Sequence, residues 1–71
     1  MSVKDLYRAF VEGKRVKIKI ILSGFVEGIV VGMEFKKNKL GQVYTCGVIK
    51  DDSGNSLLHA GAEDIFLIDN T

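Results

Sequence analysis

Residues 15–37 read RVKIKIILSGFVEGIVVGMEFKK, and this stretch decides the fold. Val16, Ile18, Ile20 and Leu22 alternate with Arg15, Lys17, Lys19 and Ile21. That is the period of a half-buried strand with a basic outer face. Ser23-Gly24 interrupts it as a turn signal. Phe25 to Lys37 then reads as a second, long strand. Gly28 and Gly32 lie four residues apart and are expected on one face, where missing side chains let a strand bend sharply. Such bends are what a small barrel requires.

Downstream, Asn38 to Gly41 is the next turn and Gln42 to Lys50 a third strand. Asp51-Asp52-Ser53-Gly54-Asn55 is a loop by composition. Ser56 to Ala60 and Ile65 to Ile68 are short fourth and fifth strands, joined by Gly61-Ala62-Glu63-Asp64. Upstream, Val3, Leu6, Tyr7, Phe10 and Val11 fall on one helical stripe, with Tyr7 and Phe10 expected in the core. Ser2 and Asp5 have capping-box spacing, and Gly13 stands at the left-handed C-cap position. The expected fold is mainly β: an N-terminal helix followed by a strongly bent, five-stranded small barrel, closed or nearly so. One domain spans 1–71, with the helix at about 3–12 and the barrel at about 14–69.

The chain has 71 residues, no proline, 46% hydrophobic and 27% charged residues, which argues against disorder and against a linker-like chain. A globular chain of this size buries only about 60% of its unfolded surface and needs a staple. The single Cys46 rules out an internal disulfide, and one Cys with one His cannot build a four-ligand zinc site. Self-association is the support that remains. Lys4, Asp5 and Arg8 leave no apolar signal-peptide core after Met1, and no apolar run exceeds Ile65 to Ile68. With a free thiol, these features lead to the expectation of a cytoplasmic protein with no membrane segment.

Charge is uneven. Residues 1–40 hold nine Lys or Arg against four Asp or Glu, and residues 41–71 hold one against five. Such a split suggests a two-faced surface, one face turned toward an anion. Leu57-Leu58 and Ile65-Phe66-Leu67-Ile68 are apolar without alternation. Left at an edge they would be sticky, so a second subunit is expected to pair with them. Pairing of two different strand types is a heterologous contact that closes into a ring where the rotation permits.

At this point the chain resembles the Sm/LSm family, which includes the bacterial Hfq proteins. Gly24-Phe25-Val26-Glu27-Gly28-Ile29-Val30 is similar to the family's turn glycine and strand-two glycine. Glu34 stands where the family has Asp, Asn38 where it has its Asn four residues later, and Leu40 near its apolar position. Ala60-Gly61 falls near the Arg-Gly of the second Sm motif, and His59-Ala60 resembles part of a Lys-His-Ala stretch in Hfq. The resemblance covers nearly the whole chain. It implies a homo-oligomeric ring of about six or seven subunits that binds single-stranded RNA around its pore. By position it implies that Glu34 and Asn38 face the pore with His59 nearby.

The candidate RNA-binding residues are Glu34, Phe35, Lys36, Lys37, Asn38, Lys39, His59 and Gly61. Lys36, Lys37 and Lys39, repeated around a ring, would make a positive annulus for phosphates, or else a solvated turn. Asn38 offers a donor and an acceptor to a base edge, or serves as a turn residue. Phe35 is the best placed aromatic for stacking, with core packing as its alternative. Arg15, Lys17 and Lys19 form a second basic face, suited to phosphates or to edge protection. His59 is a base, phosphate or metal contact, or a structural residue. Cys46 reads as a buried small hydrophobe.

No nucleophile–base–orienter set and no phosphate or dinucleotide fingerprint is present, so an enzyme is not expected, nor a cofactor or a metal. The 51–55 loop lacks the glycine position and bidentate Glu of a calcium loop. Two other readings stand beside the RNA-binding ring. The Lys at 37 and the Ala at 60, with a net charge of only +1, suit a structural or protein-interaction scaffold with little nucleic-acid affinity. A monomeric SH3-like barrel that binds a peptide is the third.

Overall fold

The computed structural model describes residues 1–22, 24–54 and 56–68. Ser2 caps helix α1, Val3–Glu12, and its side chain accepts a hydrogen bond from the Asp5 N–H at 3.1 Å. This half of the expected capping box satisfies one orphan donor of the first turn. Gly13 ends the helix at φ 66°, and the Lys14 N–H closes back onto the Ala9 carbonyl at 2.9 Å.

Five antiparallel strands follow: β1 Arg15–Ile20, β2 Gly24–Lys37, β3 Val43–Asp51, β4 Leu57–Gly61 and β5 Ile65–Leu67. A 3-10 turn, Ala62–Asp64, links the last two. Each expected element is present. The turn at Ser23, the end of the loop at Asn55 and the barrel's last residue, 69, lie outside the described residues. The first strand is shorter than its alternation suggests. It ends at Ile20, and Leu22 turns the corner at φ 75° with its side chain in solvent.

The sheet order is β4-β3-β2-β1-β5, so the sheet bends but does not close into a barrel. The last two strands are its edges, yet only three residues separate them. From Gly61 to Ile65 the chain spans at most about 14 Å. Five strands laid flat would hold their edges about 19 Å apart. The sheet must therefore curl to bring the edges together at that corner. The two edges nevertheless do not pair with each other.

The curl is built into β2. At Gly28 an added Cβ would overlap the Lys50 carbonyl oxygen and lie 2.8 Å from Ile49 Cγ2, so β2 and β3 pass there with no room for a side chain. Register then slips between Val30 and Gly32, leaving Val31 as an extra, bulged residue. The bulge also corrects the expectation for the two glycines. Val30 pairs with Ile49 but Gly32 pairs with Val48, so Gly28 and Gly32 lie on opposite faces.

Leu6, Ala9, Val16, Ile18, Val30, Ile49 and Ile65 form the core, lined at its margin by Met33, Leu58 and Ala60. β4 therefore alternates after all, with Leu58 inward and Leu57 outward. Gly47 lets α1 approach, since a Cβ there would come within 3.1 Å of Leu6 Cδ1. The helix docks through a narrower strip than its stripe suggests. Leu6 and Ala9 are buried, while Val3, Tyr7, Phe10 and Val11 remain exposed. The small sheet offers contact to one side of the helix only, so Tyr7 and Phe10 are not core. No helix among the described residues is long and apolar enough to cross a membrane.

Candidate nucleic-acid interface

The β2–β3 turn is organised by Asn38. Its Oδ1 accepts from the Leu40 N–H at 2.9 Å and the Gln42 N–H at 3.0 Å. Its Nδ2 donates to Gln42 Oε1 at 3.0 Å. Its backbone N–H donates to the Gln42 carbonyl and its carbonyl accepts from the Gly41 N–H, both at 3.0 Å. Asn38 is thus the clasp of the turn, an Asx arrangement that holds Lys36, Lys37 and Lys39 at fixed positions.

Strand alternation divides the candidates between two faces. Glu34 and Lys36 share one side of β2, and Phe35 and Lys37 the other. On the first side, His59 of β4 reaches over β3, placing Nδ1 at 3.0 Å from Glu34 Oε2. Lys36 Nζ lies 3.9 Å from the same oxygen. A carboxylate, an imidazole and an ammonium from the two stretches that carry the resemblance therefore form one polar cluster. All three side chains are substantially exposed, so the cluster adds little to stability and remains open to a ligand. Cys46 is buried on this same side of the sheet, paired with Glu34 and Gly61 in register.

On the second side, Phe35 is 72% exposed and belongs neither to the core nor to the Glu34 cluster. Gly61 is half-buried at the start of the 3-10 turn, and a Cβ there would meet only Glu63 at ordinary contact distance. Among the described residues nothing requires a glycine at that position.

The basic face of β1 divides as well. Arg15 is committed to its own chain: Nη1 donates to Asp52 Oδ1 at 2.9 Å, and Nη2 donates to Asp52 Oδ2 at 2.6 Å and to Glu27 Oε1 at 3.3 Å. The fork raises the Arg15 pKa, chiefly through its hydrogen bond to Asp52, and holds the Asp52 carboxyl below its ordinary 3.8. This removes Arg15 from a phosphate-binding role. Lys17 remains, with Nζ 4.7 Å above the centre of the Phe25 ring. Phe25 and Phe66 meet edge to face at 6.1 Å. Sequence reading passed over this pair because its partners are 41 positions apart. The signal was Phe25 and Phe66 each falling in phase with the outward lysines once the register of β1, β2 and β5 is known.

Comparison of the chain with family models, with curated proteins and with solved structures finds no match.

Proposed function

We propose that this chain is an Sm-like subunit that assembles through its sheet edges into a ring and binds single-stranded RNA at the β2–β3 turn. The observation that carries this reading is the pair of unpaired edges. β4 and β5 end an open sheet, each with exposed apolar side chains: Leu57 on one, Phe66 and Leu67 on the other. A monomer that exposes two such strands presents a template at each edge. Antiparallel addition of one subunit's β4 to the next subunit's β5 satisfies both at once, and repetition of this heterologous contact closes a ring where its rotation permits.

Ring symmetry multiplies the turn. Each copy brings Lys36, Lys37 and Lys39 on a clasp fixed by Asn38, a spacing of cations that suits a single-stranded backbone. Glu34, held by His59 at 3.0 Å and 3.9 Å from Lys36, stands beside the turn and tempers the charge of its lysines. Phe25, Phe66 and Lys17 supply a second surface of stacking rings and cation.

The test is native mass spectrometry of protein purified without nuclease, followed by binding of a labelled oligouridine. The expected result is a multiple of the 7.8 kDa subunit with nuclease-sensitive extra mass. Replacing Lys36, Lys37 and Lys39 together with Ala is expected to weaken binding and to flatten the log K against log salt slope by about 2. A monomer, or unchanged binding and slope in the triple variant, refutes the reading.

A further inference from the structure

Helix α1 brings four large apolar side chains to the surface where its own sheet does not reach. Val3, Tyr7 and Phe10 join Gly32, Met33 and Phe35 of β2 to line an open groove of about 660 Å³. That lies within the range of about 300–1,000 Å³ typical of ligand sites. Tyr7 is 59% exposed and Phe35 72%. Exposed aromatics around one apolar groove are the residues that anchor protein interfaces.

Lys4 is the charged residue that lines the groove, and Arg8 stands one turn along the helix, beside Glu12. Lys37 follows Phe35 on the same side of β2. Lys4 and Lys37 make no ion pair among the described residues. Glu12, the acid on this part of the helix, is flanked by Arg8 at 3.8 Å and Lys14 at 3.5 Å. Asp5 lies about 100° round the helix from Lys4, away from the groove. A second copy of this surface would set Lys4 and Arg8 against themselves, which counts against self-docking.

We propose that this groove docks an acidic amphipathic helix of a partner protein. The exposed ridge Val3-Tyr7-Val11 runs at i, i+4, i+8, a row that meshes with the same row on another helix. Two or three apolar side chains of the partner fill the space between that ridge and Phe35, and its flanking carboxylates meet Lys4, Arg8 and Lys37. Docking at this groove does not require ring assembly, and it shares Lys37 with the proposed RNA-binding turn.

The probe is a capped peptide of about five helical turns, with leucine and phenylalanine on one face and glutamate on the other. Its counterpart keeps the apolar face and replaces every glutamate with lysine. Amide NMR titration of the full chain is expected to show saturable shifts in residues 3–11 and 32–37, with a dissociation constant of about 10–100 µM. The lysine peptide should bind at least about tenfold more weakly, and Lys4→Glu and Phe35→Ser should each weaken the acidic peptide by about fivefold or more. Both replaced side chains are exposed, and far-UV circular dichroism verifies that the variants fold. Absence of saturable shifts in that region overturns the proposal, as does equal affinity for the two peptides. A fall in particle mass on Tyr7→Glu would assign the groove to a second copy instead. Sedimentation with phosphatidylserine vesicles that is lost in Phe35→Ser would assign it to a membrane surface.

Discussion

Glu34 on β2 and His59 on β4 meet at 3.0 Å over the intervening strand β3. The contact joins 25 positions of sequence into one polar cluster that also holds Lys36. Its carboxylate is the one negative charge of the cluster, opposed to the turn's lysines. Glu34→Gln should therefore tighten binding of an oligouridine by about two- to fivefold, the worth of one unit charge a few ångströms away in high dielectric. Fluorescence anisotropy at moderate salt measures it. Weaker binding by the variant would mean that the carboxylate contacts a base directly.

Asp52 ties the β3–β4 loop to β1 through Arg15, and its folded pKa is depressed. A carboxyl with a lowered folded pKa contributes stability above its unfolded value of about 3.8, and that contribution is lost as pH falls through the folded value. Asp52→Asn should lower the urea midpoint at pH 7 and leave it unchanged well below pH 3. Equal midpoints at pH 7 would show that the exposed pair contributes nothing.

The glycines of the sheet should rank by what a Cβ would strike. Gly28→Ala meets a backbone carbonyl that cannot yield and should cost about 3 kcal/mol, a large part of the stability of so small a domain. Gly47→Ala meets the ends of Ile65 and Leu6, which can shift, and should cost less. Gly32→Ala finds Val48 at 3.6 Å and should be near neutral. Chemical denaturation of the three variants tests the order.

Leu22 adopts φ 75° with its side chain wholly in solvent. A left-handed conformation costs a residue with a Cβ about 1–2 kcal/mol, partly offset in glycine by its greater unfolded-state entropy. Leu22→Gly should stabilise the chain by about 0.5 kcal/mol, seen as a small rise in Tm. A fall in Tm would mean that Leu22 is packed against something, such as another subunit.

Leu57 points outward from the free edge of β4 and is 59% exposed, so replacing it leaves the core intact. In the proposed ring it is covered by the next subunit's β5. Leu57→Asp should shift native mass spectra from ring to monomer while the circular dichroism spectrum is retained. An unchanged particle mass would move the interface elsewhere.

The sequence by itself determined the helix, the five strands and their order, because those are read from periodicity and local chemistry, though not the 3-10 turn at Ala62–Asp64. The alternation of Val16, Ile18 and Ile20, the Ser2 and Gly13 caps and the asparagine of the β2–β3 turn each act within a few residues. The basic turn was legible for the same reason. What only the tertiary structure decided depends on residues far apart in the chain. The bulge at Val31 reverses which face Gly32 occupies, and one inserted residue has no periodic signature before its partner strand is known. The narrow docking of α1 follows from the width of the sheet beneath it, not from the helix's own stripe. Arg15 left the basic face because Asp52 folds back beside it. Whether the edges close is equally non-local. Curvature is written in Gly28, but pairing of β4 with β5 depends on where the turn between them carries the chain, and there it leaves both edges open.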